Sequence, residues 1–108
     1  MFAKTPEPPY YAVIFTSVRT PFDNGYEEMD KKLAETVKEQ PGFLGMESVR
    51  NETGITVCYW KDMESIKGWA HHSEHIEAKK KGRVEWYRDY RVRICKVEKE
   101  LWLLKESG

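Results

Sequence analysis

Residues 57–82 read VCYWKDMESIKGWAHHSEHIEAKKKG, and this stretch decides the fold of the chain. It begins at the end of an apolar strand predicted over residues 55–60, and it continues into a helix capped by Asp62. Lysines followed by Gly82 predict the end of the helix, because cations favour a helix C-terminus and glycine favours a left-handed cap. One face of the helix carries side chains at steps of three and four: Met63, Ile66, Trp69, Ala70, Ser73 and Ile76.

The residues before this stretch predict a strand, a helix and another strand. The first strand is rich in aromatic and β-branched residues and is apolar on both faces. Asp23 and Asn24 offer a cap for the helix, and Pro41-Gly42 ends it. The second strand pairs with residues 55–60 through a turn, and the two strands form a β-hairpin. The predicted bounds are 10–19 for the first strand, 26–37 for the helix and 43–50 for the second strand.

A fourth strand is predicted over residues 89–98, because polar and apolar side chains alternate there. The complete order is βαββαβ, an α+β chain of the ferredoxin-like type in which two helices cover one face of a four-stranded antiparallel sheet. The other face of the sheet needs a cover as well, since strand 10–19 is apolar on both sides. In so short a chain a second copy is the simplest cover, so the sequence predicts a homodimer.

The chain has 108 residues, which is enough for one domain and no more. Residues 1–9 carry three prolines and predict an extended arm, and residues 10–98 form the domain. Residues 99–108 form a tail with the apolar run Leu101–Leu104. An exposed run of this kind is an aggregation hazard, so the tail is expected to reach across the dimer.

Charge and cysteine content exclude several classes of partner. Eighteen acidic and eighteen basic residues give a net charge of zero, which offers no general attraction to nucleic acid or to an anionic membrane. No stretch resembles a signal peptide or a membrane span. Cys58 and Cys95 lie in predicted strands without CxxC spacing, so they are expected to be small buried hydrophobic residues in a reducing cytoplasm.

All three histidines of the chain fall within residues 71–75. On a continuous helix His72 would lie beside Trp69 and His75 nearer to solvent, whereas His71 would lie on the far side. Imidazole titrates near neutral pH, so His72 is a candidate general base. The alternative is that these are polar residues on a helix edge. No acidic or thiol ligand stands at a known metal-site spacing from them, so no metal is expected.

Aromatic residues on several predicted elements converge on the second helix. Each one by itself is most simply a core residue, but as a group they suit a planar or phenolic ligand. The group consists of Trp60, Trp69, Trp86, Tyr87 and Tyr90, beside the basic fourth strand with Arg91 and Arg93. The chain has no P-loop, GxGxxG or GxSxG motif, so neither a nucleotide cofactor nor serine-hydrolase chemistry is expected.

Residues 10–98 resemble the antibiotic biosynthesis monooxygenase domain family. The resemblance rests on Tyr59-Trp60, the acidic helix start, Trp69 with His72 and His75, and the following basic strand with its tyrosine. It implies a homodimer whose sheets join into a dimeric α+β barrel, with a pocket between helices and sheet in each subunit. Some members oxidise polycyclic phenols to quinones with O₂ and need neither metal nor flavin, and others bind and degrade haem.

The resemblance implies roles for individual residues. The base role expected for His72, with His75 beside it, comes from the residues themselves, and the resemblance implies that no cofactor is needed. The haem-degrading branch has an Asn on strand one and a His ten residues after the helix Trp; here position 79 is Lys, and VIFTSVR lacks Asn. The residues expected to line the substrate pocket are Trp60, Trp69, Trp86 and Tyr90. Arg91 or Arg93 is expected to supply the basic group of this pocket.

The leading hypothesis is therefore a cofactor-independent monooxygenase acting on a small aromatic or phenolic substrate. A non-catalytic dimeric protein that binds such a molecule is the alternative. A haem-binding or haem-degrading protein comes third.

Overall fold

The structure is a computed structural model, which describes residues 2–103. Residue 1 of the predicted arm and residues 104–108 of the predicted tail therefore lie outside the described residues. The elements are β1 (Tyr10–Arg19), α1 (Tyr26–Val37), β2 (Phe43–Arg50), β3 (Gly54–Trp60), α2 (Met63–Ala70), α3 (Ser73–Lys81), a π-helical turn (Gly82–Trp86) and β4 (Tyr87–Val97).

The four strands form one antiparallel sheet in the order β2-β3-β1-β4. The central strand β1 pairs with β3 on one side and with β4 on the other, so that Val13 lies opposite both Cys58 and Ile94. Helices α1 to α3 lie on one side of this sheet. The ferredoxin-like α+β fold is thus confirmed.

The pairing register assigns each strand residue to one of two sides of the sheet. The helix-facing side carries Tyr11, Val13, Phe15 and Ser17 of β1, Cys58 and Trp60 of β3, and Tyr90, Val92 and Ile94 of β4. The far side carries Ala12, Ile14, Thr16 and Val18 of β1, Val57 and Tyr59 of β3, and Arg91, Arg93 and Cys95 of β4. The alternation predicted for β4 is therefore confirmed.

The hydrophobic core lies at the start of β1, where α1 ends and α2 begins. Val37, Trp60 and Ile66 are its buried centre. Partly buried side chains surround these three: Tyr11, Val13, Phe43, Met46, Cys58 and Trp69. The ring of Trp60 meets that of Phe43 edge-on, with centroids 5.3 Å apart. Trp69 is thus a boundary residue, with the core on one side of it.

The second helix is divided, which the sequence pattern did not predict. Its first half ends at Ala70, and its second half begins at Ser73 after an extended His72 with ψ of 134°. The Glu74 N–H donates to Nδ1 of His72 at 3.3 Å, so the imidazole caps α3 and competes with continuation of the helix. The prediction of a left-handed cap at Gly82 is also wrong, since its φ of −57° is right-handed and the chain continues into the π-helical turn.

The N-terminal arm lies against the far side of the sheet. The Ala3 N–H donates to Oε2 of Glu47 at 2.9 Å, and the Tyr59 hydroxyl donates to Oε1 of the same carboxylate at 2.7 Å. Gly45 has a φ of 155°, and a Cβ at this position would come within 2.9 Å of Ala3 Cβ. The arm therefore covers the β2–β3 part of the far side and leaves the β4 part to solvent.

The two cysteines occupy different environments. Cys58 is partly buried, and burial raises the pKa of its thiol to about 11. Cys95 is exposed on the far side of β4, so the expectation that both are buried is wrong for Cys95. Its neighbour across the strand pair is the small Ala12, and no helix covers that side. Within residues 2–103, no helix is both long and apolar enough to span a membrane.

Candidate functional site

The α2–α3 junction brings three of the predicted site residues together. The imidazole of His75 stacks on the Trp69 indole with ring centroids 4.8 Å apart and planes within 12°. The His72 ring lies on the same indole at 5.2 Å and is tilted by 39°. The break in the helix makes this arrangement possible, because it lets both histidines fold back towards Trp69. All three side chains are partly buried.

His75 is held as a neutral imidazole of one tautomer. Burial lowers its pKa below the ordinary value of 6.5, and the positive charge of Lys79 acts in the same direction. Nδ1 of His75 lies 3.1 Å from the Trp69 carbonyl oxygen. A carbonyl can only accept, so Nδ1 carries the proton and Nε2 has the free lone pair.

His72 is held in the opposite tautomer when it is neutral. Its Nδ1 accepts the Glu74 N–H, so the ring proton is on Nε2. The junction therefore presents one Nε2 acceptor, on His75, and one Nε2–H donor, on His72. His71 is exposed. No group of three His, Cys, Asp or Glu side chains able to hold a metal ion occurs in the described part of the chain.

Hydrogen bonds on both sides fix the junction in place. Asp62 caps α2 by accepting the Ser65 N–H at 2.8 Å, as predicted from the sequence. Glu74, in the first turn of α3, accepts the Thr36 hydroxyl of α1 at 2.8 Å and lies 3.7 Å from Lys32 Nζ. These contacts tie α3 to α1, and they set the orientation of the two histidines at its start.

Two of the predicted wall residues are core residues. Trp60 is only 1% exposed and Trp86 only 3%. The Trp86 indole N–H donates to the Asn24 carbonyl at 3.1 Å, so its polar atom is satisfied within the fold. Each ring fills space at one end of the helix–sheet interface, and Trp86 lies at the opposite end from Trp69.

The β4 residues of the predicted site lie apart from the histidines. Tyr90 packs on Phe15, with centroids 5.5 Å apart. Arg91 and Arg93 pair with Thr16 and Ile14 of β1 on the far side of the sheet. Arg91 also donates to the exposed Asp89 carboxylate at 2.6 Å. The structure therefore brings together Trp69, His72 and His75, but not the two arginines.

An open cleft of about 350 Å³ lies beside Trp69, between α2 and the segment that connects α1 to β2. A volume of this size is at the lower end of the range for small-molecule sites. Trp69 lines this cleft, whereas His72 and His75 do not. The residues that line the cleft are Gln40, Pro41, Asp62, Glu64, Ser65, Gly68 and Trp69.

A polar cluster at the opposite end of the sheet was missed by the sequence analysis. Ser17 is fully buried, and the Arg50 guanidinium donates to both its hydroxyl and its carbonyl oxygen. The Arg19 guanidinium lies 3.5 Å from the ring centroid of Tyr26. Burial raises the pKa of the neighbouring Tyr87 well above its ordinary value. The only signal in the sequence is Ser17, a hydroxyl residue on an otherwise apolar side of β1.

Comparison with known proteins agrees with the fold described above. The uncharacterized protein YqjZ of Bacillus subtilis (strain 168) is 53% identical over 100 residues, which cover 91% of this chain and 88% of YqjZ. SnoaB of Streptomyces nogalater, a cofactor-independent oxygenase, matches with a TM-score of 0.72 at 11% identity, covering 87% of this chain and 98% of SnoaB. At this identity the match shows the fold alone.

A candidate antibiotic biosynthesis monooxygenase from Caulobacter crescentus CB15 has a TM-score of 0.72 at 15% identity, over 84% of this chain and 92% of its own. The family of the chain is assigned from its sequence and not from these structural matches. Residues 14–95 match the model of the family described as monooxygenase af470-like. This range includes the second half of β1, the divided second helix and nearly all of β4. The chain therefore belongs to the monooxygenase af470-like family.

Proposed function

We propose that this protein is a homodimeric, cofactor-independent monooxygenase that oxidises a small phenolic substrate with O₂ and uses His75 as its base. The observation that carries the proposal is the position of the His75 imidazole, whose ring centroid is 4.8 Å from that of Trp69 and whose Nδ1 donates to the Trp69 carbonyl. Its Nε2 is an unprotonated acceptor at neutral pH, because burial lowers the His75 pKa. A partly buried base of this kind can take a proton from a phenol.

For this oxidation the protein has to bind the phenol and transfer its proton. A phenolate is electron-rich and reduces O₂ itself, so the pocket has to orient it and accept its proton. When a phenol becomes a quinone, one oxygen atom of O₂ forms the new carbonyl. The other leaves as water with the hydroxyl hydrogen and one ring hydrogen. The substrate supplies all the electrons for this step.

The other residues of the junction have complementary roles in the proposal. The Trp69 indole is a flat wall on which an aromatic ring can stack. The Nε2–H of His72 is a hydrogen-bond donor that can stabilise the developing phenolate or carbonyl oxygen. The sequence hypothesis gave the base role to His72, but the His72 Nδ1 is used by the Glu74 N–H. We therefore assign the base to His75 and the donor to His72.

The homodimer belongs to the same proposal. Supporting it, the far side of β1 and β4 carries Ile14 and Cys95 without a helix over them. A second copy that packs on this side would shield both residues. The two free thiols fit a cytoplasmic protein. At dilutions that dissociate the dimer the Cys95 thiol should react with a disulfide reagent quickly, and above the dissociation constant it should react slowly.

The activity is tested by oxygen consumption with a panel of dihydroxyaromatic compounds, together with the absorbance of the quinone product. His75→Gln is the test variant and His71→Gln its matched control, since His71 is exposed in the same segment. We expect the first variant to lose about 10²- to 10⁴-fold in kcat, and the control to keep wild-type activity. Full activity in His75→Gln would overturn the base assignment.

Binding measurements on the same panel separate the enzyme from a binding protein. Quenching of tryptophan fluorescence reports affinity whether or not turnover occurs. Affinity without oxygen uptake for every compound would replace the proposed enzyme by a non-catalytic binding protein. A Soret band on mixing with haemin would instead favour the haem-handling alternative.

A further inference from the structure

Two arginines at one end of the sheet are held in place without a carboxylate partner. The Arg50 guanidinium donates to the hydroxyl and to the carbonyl oxygen of the buried Ser17. The Arg19 guanidinium donates to the carbonyls of Trp86 and Phe22, at 3.0 and 2.9 Å. Each guanidinium thus uses two of its five N–H donors. Among residues 2–103, neither one lies within 4.0 Å of a carboxylate oxygen, so both charges are available to an anion.

The position of the Arg50 side chain depends on a glycine of the neighbouring strand. Gly54 is buried and pairs with Ser17 on one side and with Arg50 on the other. A Cβ at Gly54 would overlap the guanidinium of Arg50. Glycine is typical of a strand position that another group approaches closely. The guanidinium is therefore placed by the sheet and crosses Gly54 to reach Ser17.

A β-bulge brings two tyrosines of β4 to the same side of the sheet. The pairing of β4 with β1 shifts by one residue at Arg88. The extra residue reverses the alternation of the side chains, so Tyr87 and Tyr90 both pack on Phe15, with ring centroids 5.3 and 5.5 Å from it. Bulges of this kind re-aim side chains and are frequent beside functional sites. The result is an aromatic wall on the helix-facing side.

Tyr26 of α1 connects this wall to the arginines. The Arg19 guanidinium lies 3.5 Å from the Tyr26 ring centroid, and the Tyr26 ring meets that of Tyr87 edge-on at 5.9 Å. Asp30 follows one turn later on α1. Partial burial raises the pKa of its carboxyl, and the opposing charges of Arg50 and Arg19 do not restore the ordinary value. One carboxyl group near two guanidinium groups leaves an excess of positive charge.

We propose that Arg19 and Arg50, together with the rings of Tyr26 and Tyr87, bind the carboxylate of a small aromatic acid. A guanidinium can hold a carboxylate through two parallel N–H···O hydrogen bonds. The ring of the acid then packs against the aromatic wall, where edge-on and offset contacts are favourable. An inorganic anion would use the arginines alone, and a neutral aromatic compound would use the wall alone. An aromatic acid uses both.

This site is separate from the α2–α3 junction. Tyr11, which packs on the core beside Trp69, is six residues before Ser17 on β1. At about 3.3 Å per residue this separation is about 20 Å, which is longer than a single-ring acid. The proposed acid site therefore does not depend on the proposed oxidation. Its failure would leave the role of the junction untouched.

Titration calorimetry with benzoate and with benzyl alcohol tests the ligand class, because the two differ in charge and not in the ring. We expect the Kd of benzyl alcohol to be higher by about tenfold or more, a change that corresponds to about 1.4 kcal/mol. Two-dimensional NMR of the indole N–H groups gives the location. Benzoate should shift the signal of Trp86, whose ring meets Tyr26 at 5.7 Å, and not that of Trp69. Equal affinities, or a shift confined to Trp69, would overturn the proposal.

Arg50→Gln removes one of the two charges. It should raise the Kd of benzoate about tenfold, since hydrogen bonds between two charged groups are the stronger ones. Arg93→Gln is the matched control, because it removes the same charge from the far side of the sheet. We expect this control to change the Kd by less than about twofold, as for a distant charge that salt screens. Equal effects of the two substitutions would overturn the site.

Asp30→Asn tests the same site with the opposite sign and keeps the contacts of both arginines. Loss of the one nearby carboxylate should lower the Kd of benzoate about threefold, which is typical of an exposed charge pair. Glu28→Gln is the matched control, because it removes an exposed carboxylate from the same helix. Tighter binding in both variants to the same extent would reduce the effect to net charge and overturn the site. Inorganic phosphate that binds as tightly as benzoate would overturn the role of the aromatic wall.

Discussion

Trp69 and Trp86 lie at opposite ends of the space between helices and sheet, and their surroundings differ. The Trp86 ring is buried, meets Tyr26 edge-on at 5.7 Å, and donates its indole N–H to the Asn24 carbonyl. The Trp69 ring is only partly buried, and its neighbours are two imidazoles. One tryptophan contacts a tyrosine ring and a backbone carbonyl, and the other contacts two histidine rings.

The backbone around the two residues shows the same difference. The Trp86 carbonyl accepts the Thr20 N–H at 2.9 Å and Nε of Arg19 at 3.0 Å, so this residue joins the end of β1 to the start of β4. The Trp69 carbonyl instead lies against His75 Nδ1 and fixes its tautomer. Trp86 therefore stabilises the fold, whereas Trp69 positions the two imidazoles that we propose for proton transfer.

The largest effect is expected for Trp86→Ala. Removal of a buried tryptophan leaves a cavity and an unpaired Asn24 carbonyl, so the free energy of unfolding should fall by about 3–5 kcal/mol. Urea denaturation followed by circular dichroism measures this change. Trp86→Phe is the control and should lose less, since it keeps a ring against Tyr26. A stable Trp86→Ala protein without activity would place Trp86 in the site and break the comparison.

Trp69→Ala should lower the free energy of unfolding less than Trp86→Ala does, and it should weaken ligand binding more than Trp86→Phe does. Its ring is at the edge of the core, and each aromatic contact of this kind contributes about 0.5–1.5 kcal/mol, so we expect a loss of about 1–3 kcal/mol in the same denaturation experiment. The stacking partner of both imidazoles is removed as well. Affinity for aromatic compounds, measured by equilibrium dialysis, should therefore fall more than in Trp86→Phe. Equal losses of affinity in the two variants would count against a site at the α2–α3 junction.

The sequence predicted the fold well because the fold depends on periodicity. The alternation in β1 and β4 and the Asp62 cap each follow from local residue patterns. The divided second helix was not predictable in this way. Its apolar spacing is continuous through His71 and His72, and the helix breaks where the Glu74 N–H donates to the His72 ring. A side-chain cap of this kind depends on three-dimensional geometry that no spacing rule contains.

The candidate site was predicted in part for a related reason. Trp69, His72 and His75 are close in sequence, so local spacing could bring them together. Trp60 and Arg93 come from other strands, and their positions depend on the register and on which side of the sheet each faces. Arg93 lies on the far side because it pairs with Ile14. Arg50 and Ser17 were missed because they are 33 residues apart.

Gly68→Ala examines the cleft beside Trp69. A Cβ at Gly68 would meet nothing within 4 Å, so alanine should stabilise α2 through its helix propensity, by about 0.5–1 kcal/mol. A rise in the urea midpoint without a change of slope measures this effect. The same methyl group would protrude into the cleft. Weaker binding of aromatic compounds in Gly68→Ala would locate the ligand in the cleft, and unchanged binding would locate it on the imidazole side of Trp69.

The smallest effect is the pH dependence that His75 contributes to stability. Its pKa in the folded protein is below the ordinary value of 6.5, so the unfolded chain binds a proton first as the pH falls. The stability due to this group is complete above pH 6.5 and declines as the pH falls from there to the folded pKa. We expect the wild type to lose more stability than His75→Gln over that interval, in urea titrations at successive pH values. His71→Gln should follow the wild type, because His71 is exposed. Parallel curves for wild type and His75→Gln would mean that His75 is not held neutral, and Trp69 would then have no base beside it to distinguish it from Trp86.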